Sequence, residues 1–486
     1  MTIRQKIRLT LLVLCVTAGA GYYGSVWLRD RASARRLGVF QVQPYLQPGD
    51  YADHGKTLAL LWQARDDDDA PWSVELQTTP AGAWAGAGAV TSRRIAIDGA
   101  MPFRAFRARL PGLVPGGDFA YRVARAGKVE FQAQAHAPGP AGAPQRFVVF
   151  GDGGADTAAQ YAITRQVANA RPDYVLLTGD LVYTRGRASE YRGHFFPIYN
   201  ADDDSGHGAP LLRSTLFFAA PGNHDLAERN LDKFPDGLAY FYEWDQPLNG
   251  PKATVGAPDL KGPEPLRAMY RASAGPAFPR MANFSFDQGD IHWTVLDGNT
   301  YTEWTSSPYR DWLEADLAAA KDAPWRIVAV HHPPFSSSNT HAEDQRMRLL
   351  APAFEAGRVS IVFCGHVHNY QRSHPLKFAP GPPPPDAAGK PYGKYGRVDG
   401  TFSIDTNYDG ATRTHPDGVV YVISGAGGAR LYDPDQQDKP TSWQPFTDRF
   451  VSKVHSLTIV DATPDSLTVR QVSDAGEELD RFVIER

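Results

Sequence analysis

The stretch Val359-Ser360-Ile361-Val362-Phe363-Cys364-Gly365-His366-Val367-His368-Asn369-Tyr370 decides how the chain is read. Val359 to Phe363 is a short apolar run of the length expected of a buried strand. Two histidines spaced i, i+2 follow its end, where both rings can turn toward one point if the backbone leaves the pleat. Histidine is the commonest metal ligand among side chains. A single His-x-His is still weak evidence, because loop histidines are commonly solvated, so its neighbours must decide.

Working outward, the same strand-then-motif arrangement recurs four times. Phe147 to Phe150 leads into Gly151-Asp152-Gly153-Gly154, and Tyr174 to Leu177 into Gly179-Asp180-Leu181-Val182-Tyr183. Leu216 to Ala219 leads into Gly222-Asn223-His224-Asp225, and Ile327 to Val330 into His331-His332. Helical stretches alternate with these strands, Asp156 to Ala170 and Pro308 to Lys321 among them. That alternation is the α/β signature. In an α/β sheet the carboxyl ends of neighbouring strands share one rim, where ligand sites form. A lone Gly-Asp pair is an ordinary turn. Five strand ends carrying Asp, Asp, Asn, His and His-x-His are a site, and their glycines let the backbone approach closely. The candidate ligands are Asp152, Asp180, Tyr183, Asn223, His331, His366 and His368. This set is too large for one tetrahedral ion and suits two ions sharing a carboxylate. Such pairs, about 3.5–4 Å apart, clamp phosphorus for in-line attack. Oxygen and imidazole donors favour Fe, Mn or Zn over Ca.

Composition limits the alternatives. At 486 residues the chain is long enough for roughly two to four domains. A net charge of −4 gives no reason to expect nucleic acid as a dedicated partner. Two cysteines, Cys15 and Cys364, exclude a disulfide framework and a zinc finger. Arg4, Lys6 and Arg8 precede an uncharged stretch from Leu9 to Leu28. Ala18-Gly19-Ala20 would suit cleavage of a signal peptide, and about 20 residues also suffice to span a bilayer. Residues 1–36 are therefore a signal peptide or an N-terminal membrane anchor. The body of the protein is expected outside the cytoplasm, periplasmic or secreted.

Residues 39–140 read as all-β, with short strands at Thr57 to Trp62, Trp72 to Leu76, Phe103 to Leu110 and Phe119 to Val123. The acidic run Asp66 to Asp69 is expected as a solvated hairpin tip. A Pro/Gly/Ala linker, Ala137 to Pro144, separates this region from a second domain at 145–486. Two long insertions, Leu226 to Met281 and Pro375 to Pro416, are expected as lids or binding loops. Ser456 to Ile484 reads as antiparallel strands closing an edge, turning at Asp474-Ala475-Gly476.

The five motifs, in this order, resemble those of the calcineurin-like metallophosphoesterases and, within them, the purple acid phosphatases. They correspond to GDxG, GDxxY, GNH[DE], VxxH and GHxH, with Val328 opening the fourth. Pro44-Tyr45-Leu46-Gln47, Asn283-Phe284-Ser285-Phe286, Leu296-Asp297 and Gly425-Ala426-Gly427-Gly428 extend the similarity over residues 39–486. General members of the superfamily open with Asp-x-His. Here Gly154 stands in the place of that histidine, and Tyr183 is gained. The resemblance implies a calcineurin-like β-sandwich core flanked by helices (α/β/β/α), preceded by a fibronectin type III-like β-sandwich. It implies Asp152, Tyr183 and His368 on Fe³⁺, and Asn223, His331 and His366 on a divalent ion (Fe²⁺, Zn²⁺ or Mn²⁺). Asp180 would bridge the two.

His224 and His341 are the expected outer-sphere catalytic residues; plant relatives carry a histidine where Thr340 stands. His332 is expected as a structural neighbour, while Arg185, Arg187 and His374 lie near the motifs and are each either anion holders or surface residues. The implied activity is hydrolysis of small phosphate monoesters by a metal-bound hydroxide. Phosphodiesters or pyrophosphate bonds are the alternative substrates. A non-catalytic surface-binding protein is the reading from another class, against which seven intact ligands count.

Overall fold

The computed structural model describes residues 38–97, 101–202, 206–252, 257–305, 307–382 and 396–486. The stretch Leu9 to Leu28 lies outside these residues, as does most of the proline run in the second insertion. Among the described residues, no helix is long and apolar enough to cross a membrane.

Two mixed sheets form the larger part of the molecule. A six-stranded sheet runs in the order Leu216–Ala219, Tyr174–Leu177, Gln145–Phe150, Ser456–Ala462, Ser466–Ser473, Glu478–Glu485. A seven-stranded sheet runs Phe284–Gln288, Ile291–Leu296, Trp325–Val330, Ile361–Cys364, Val420–Ser424, Tyr370–Ser373, Thr447–Val451. Large aromatic side chains bind the two sheets face to face. Phe218 stacks on Phe286 at 3.7 Å, Phe147 meets Trp293 edge-on at 5.3 Å, and Trp293 Nε1 donates to the Tyr174 hydroxyl at 3.1 Å.

Helices cover the outer faces. Ala158–Ala170 buries Ile163 and Val167 in a cluster with Val148 and Ile459 of the six-stranded sheet. Thr157 caps this helix, accepting from the Gln160 amide, while its own hydroxyl donates to the Gly428 carbonyl at 2.7 Å. Ser307–Ala319 and Ala351–Ala356 pack Leu313, Leu317 and Phe354 with Val328 and Val362 of the other sheet. The layers are α/β/β/α, as expected. What single-strand reading did not show is that the five motif strands divide between the two sheets, three on one and two on the other.

Upstream, two four-stranded antiparallel sheets face each other over Trp62, Trp72 and Phe106, with Trp62 and Phe106 stacked at 5.4 Å. Asp66, Asp67, Asp68 and Asp69 at the hairpin tip pair with Arg94, Arg65, Arg125 and Arg104. That tip carries its charge compensation within the protein.

The insertion Leu226 to Met281 is not the lid expected from its length. Its short helix Tyr240–Glu243 is wholly buried, and Tyr242, Trp244 and Tyr270 share a core with Tyr45, Leu61 and Phe103 of the upstream sheets. Tyr45 donates to the Glu243 carbonyl at 2.8 Å, and Arg107 pairs with Asp245 at 2.5 Å. The aromatic residues that suggested a binding loop instead wedge the β-rich N-terminal region against the larger unit. Of the second insertion, Leu376–Pro380 and Gly400–Ile404 form a two-stranded sheet whose Phe378 and Phe402 pack on Phe335.

His292 ties a helix to a sheet. Its ring nitrogens lie 2.7 Å from Asp287 and 3.1 Å from Asp316 of helix Ser307–Ala319. Burial opposes its charge, but the two carboxylates outweigh burial and raise the imidazole to about 9. A pKa raised in the folded state stabilises fully below the unfolded value near 6.5, and the gain disappears as pH rises through about 9. His292→Gln is therefore expected to lose roughly 2–3 kcal/mol at pH 6, allowing for the exposure of Asp287, and almost nothing at pH 9.5. Urea unfolding at the two pH values checks it.

Candidate metal centre

The motifs meet because the strands end level. Phe150, Leu177 and Ala219 are register partners in parallel strands, and the Gly365 amide donates to the His331 carbonyl at 3.0 Å. Just past three of these ends the backbone turns left-handed at a non-glycine residue: Asp152 (φ 60°), Asp180 (φ 51°) and His366 (φ 68°). Each such residue costs of order 1 kcal/mol or more and concentrates where function requires it. Here the turn swings the side chain out of the pleat and onto the rim. Close backbone approach explains the glycines at two positions. A Cβ on Gly222 would collide with the Asp180 amide and carboxylate, and one on Gly154 with the Leu181 carbonyl. No histidine fits at position 154, the place where general members of the superfamily carry one.

All seven predicted ligands come together, five of them buried and Tyr183 and Asn223 half-buried. Ligand atoms of Asp152, Asp180 and His368 lie within 4.8 Å of one another. The Tyr183 hydroxyl is 3.2 Å from Asp152 Oδ1 and 3.1 Å from His368 Nε2. On the other side, Asn223 Oδ1 lies 3.1 Å from His331 Nε2 and 2.9 Å from His366 Nδ1. Asp180 sits between the halves, with Oδ1 3.3 Å from His331 Nε2. Burial alone would raise the Asp180 carboxyl, but His331 and His224 hold it well below the usual carboxylate range. Tautomers are set from behind. His331 Nδ1 donates to the Thr178 carbonyl and His368 Nδ1 to the Arg430 carbonyl, each at 2.7 Å, leaving both Nε2 lone pairs facing the cluster.

The outer residues sort differently. His224 donates Nδ1–H to the Thr184 carbonyl at 2.9 Å, and its ring lies 4.5 Å from that of Tyr183, partly open to solvent. His341 packs against His366 at 4.1 Å. Thr340 faces away, donating its hydroxyl to Asp433. His332 is buried beside His366, 4.4 Å between ring centres, behind the cluster. Arg187 is committed to Asp236 at 2.7 Å, and Arg185 lies over Phe234. His374 follows the strand Tyr370–Ser373, its amide bonded to the Phe446 carbonyl. These contacts do not bring the three candidate anion holders to the cluster. Cys364 is buried at the strand end, its thiol pushed up by burial.

Tyr432 and Asp344 escaped the motif reading, and Asp225, the last residue of the third motif, has a role that the motif alone does not give. Asp225 accepts from the Gly222 and Leu181 amides, locking two motif loops together. Tyr432 stacks on His368 at 4.0 Å, and Asp344 approaches His366. Tyr432 follows the Gly425–Gly428 turn by four residues, the one sequence cue to it. Asp344 has none.

Residues 145–370 match the calcineurin-like phosphoesterase family model. Purple acid phosphatase 21 of Arabidopsis thaliana is 37% identical over 97 residues, 19% of this chain and 22% of that protein. Residues 145–370 thus carry a calcineurin-like phosphoesterase domain, and the chain is similar to purple acid phosphatases. An uncharacterized protein of Mycobacterium tuberculosis is 25% identical over 349 residues, 67% of this chain. The chain spans 58% of that relative's length. A nucleotide pyrophosphatase/phosphodiesterase of Hordeum vulgare is 25% identical over 315 residues, 59% of this chain and 69% of that protein. In fold, purple acid phosphatase PPD1 from yellow lupin superposes with a TM-score of 0.63 at 17% identity, covering 92% of this chain and 75% of its own.

The family implies a binuclear metal centre, and the residues fit one. Asn223 Oδ1, three imidazole nitrogens and two carboxylates point at each other with acceptor atoms foremost. Hydrogen bonds among them cannot satisfy all these lone pairs, and buried acceptors without partners are costly. Cations placed between them would satisfy the whole set.

Proposed function

We propose that the protein hydrolyses phosphate monoesters of small molecules, outside the cytoplasm, in the manner of an acid phosphatase. The convergence of seven ligand side chains, five of them buried and their donor atoms facing one another, carries this reading. Asp152, Tyr183 and His368 would hold Fe³⁺, and Asn223, His331 and His366 a divalent ion, with Asp180 shared. When bound, such a pair supplies Lewis acidity toward phosphate oxygens and a nucleophile at low pH.

The protein's own groups do the rest. His224, anchored through Nδ1 and with Nε2 3.9 Å from Asp180 Oδ2 at the edge of the cluster, delivers a proton to the leaving alkoxide. For His341 we propose a role other than that of His224. Burial and the adjoining His366 push its imidazole down to about 4. Neutral at working pH, it orients a phosphate oxygen through an N–H rather than giving up a proton. His224→Ala should lower kcat about 10²-fold on alkyl phosphates but only a few-fold on aryl phosphates, whose leaving groups need no acid. Steady-state rates on the two ester classes check it.

The purified chain should hydrolyse an aryl phosphate monoester with higher kcat/KM than the corresponding diester. The opposite order would favour the second reading, phosphodiester or pyrophosphate hydrolysis, which the barley nucleotide pyrophosphatase/phosphodiesterase supports. Extracytoplasmic placement rests on Arg4, Lys6 and Arg8 before the stretch Leu9 to Leu28.

A further inference from the structure

We infer that Asp344 is a positioning residue for His366, holding its Nε2–H so that Nδ1 is free to bind the divalent ion; this rests on the binuclear reading above. His366 differs from its two companions. His331 and His368 rest Nδ1–H on backbone carbonyls and turn Nε2 inward. His366 turns Nδ1 inward, 2.9 Å from Asn223 Oδ1. A ligating Nδ1 must carry a lone pair, so the imidazole proton sits on Nε2.

That Nε2 is buried and has no hydrogen-bond partner among the described residues. A buried N–H without an acceptor is costly. The nearest carboxylate is Asp344, with Oδ2 at 3.5 Å and a side chain 8% exposed. His341 and His332 pack on the His366 ring, their centroids at 4.1 and 4.4 Å, and restrict its tilt. Asp344 is itself placed by its amide, which donates to the His341 carbonyl at 3.0 Å. The neighbouring Arg346 does not compete for its carboxylate, because that guanidinium is engaged by the Gly298, Asn299 and Thr302 carbonyls. Slight rotation of the carboxylate closes the contact. A carboxylate behind a ligating histidine fixes its tautomer and raises its basicity, and losing one typically costs 10–100-fold in metal affinity. His332, Asp344 and His366 also bring ligand atoms within 4.8 Å of one another, so a separate ion on this trio is the competing account.

The test uses the full chain as wild type, Asp344→Asn and Asp344→Glu. Each is loaded with iron and zinc and dialysed against graded chelator, then metal per chain and metal-free unfolding are measured. Wild type should retain two equivalents. Asp344→Asn should release one of them at about 10–100-fold lower chelator concentration, keep the ion on the Tyr183 side, and unfold like wild type when metal-free. Asp344→Glu should recover most of the affinity. Equal retention in Asp344→Asn overturns the inference. So does joint loss of both ions with reduced metal-free stability, or a third equivalent in wild type that alone disappears. A wild-type protein retaining no metal overturns the binuclear reading itself.

Discussion

Asp180→Asn should leave the fold intact and lower kcat/KM on an aryl phosphate by on the order of 10³-fold or more. The carboxylate lies between the two halves of the cluster, near His331 Nε2 on one side and grouped with Asp152 and His368 on the other. It would be the charge shared by both ions of the proposed centre. An amide of the same shape still accepts from the His224 backbone N–H, the bond seen at 2.9 Å, and still fits against Gly222. What it cannot supply is the negative charge between the half-sites. Steady-state kinetics with elemental analysis of the same preparation check this. Wild-type activity with two metals still bound would count against the shared-carboxylate role.

The second large effect concerns stability. Asp480, on the last strand, accepts from Arg372 Nε at 2.7 Å and from the Tyr370 hydroxyl at 2.8 Å, with all three groups buried. Tyr370 immediately follows Asn369 at the end of the His366–His368 loop. The C-terminal strand thus clamps the exit of the metal loop. Asp480→Ala would take from the buried Arg372 guanidinium one of its two carboxylates, Asp448 remaining at 2.5 Å, and would leave the buried Tyr370 hydroxyl unpaired, a loss of about 3 kcal/mol. Denaturant unfolding monitored by circular dichroism measures it. Because the clamp sits behind the loop, metal retention should weaken in the same variant.

Much of this was legible in the sequence because burial on both faces leaves an unbroken apolar run. Tyr174–Leu177 and Leu216–Ala219 occupy the residues the pattern marks, and Asp152, Asp180, Asn223, His331, His366 and His368 stand at the strand ends where the glycines put them. The division of strands between two sheets was not legible. An apolar run records that both faces are covered but not by what, and only the register across chain-distant strands decides. The insertion Leu226 to Met281 misled for a related reason. Its aromatic residues look the same in sequence whether they meet a substrate or, as Tyr242 and Trp244 do, a neighbouring sheet. Asp344 escaped because its partner His366 is far along the chain. No local spacing links them, and only the unpartnered Nε2 in three dimensions draws attention to the carboxylate.

The central claim is a binuclear centre with Tyr183 on a ferric ion. Metal analysis of the purified full chain, read together with its visible absorption spectrum, tests it most directly. Two transition-metal ions per chain are expected, one of them iron, with a tyrosinate-to-iron absorption band that disappears in Tyr183→Phe. A protein that hydrolyses phosphate esters with no transition metal bound, or whose band survives Tyr183→Phe unchanged, would contradict it.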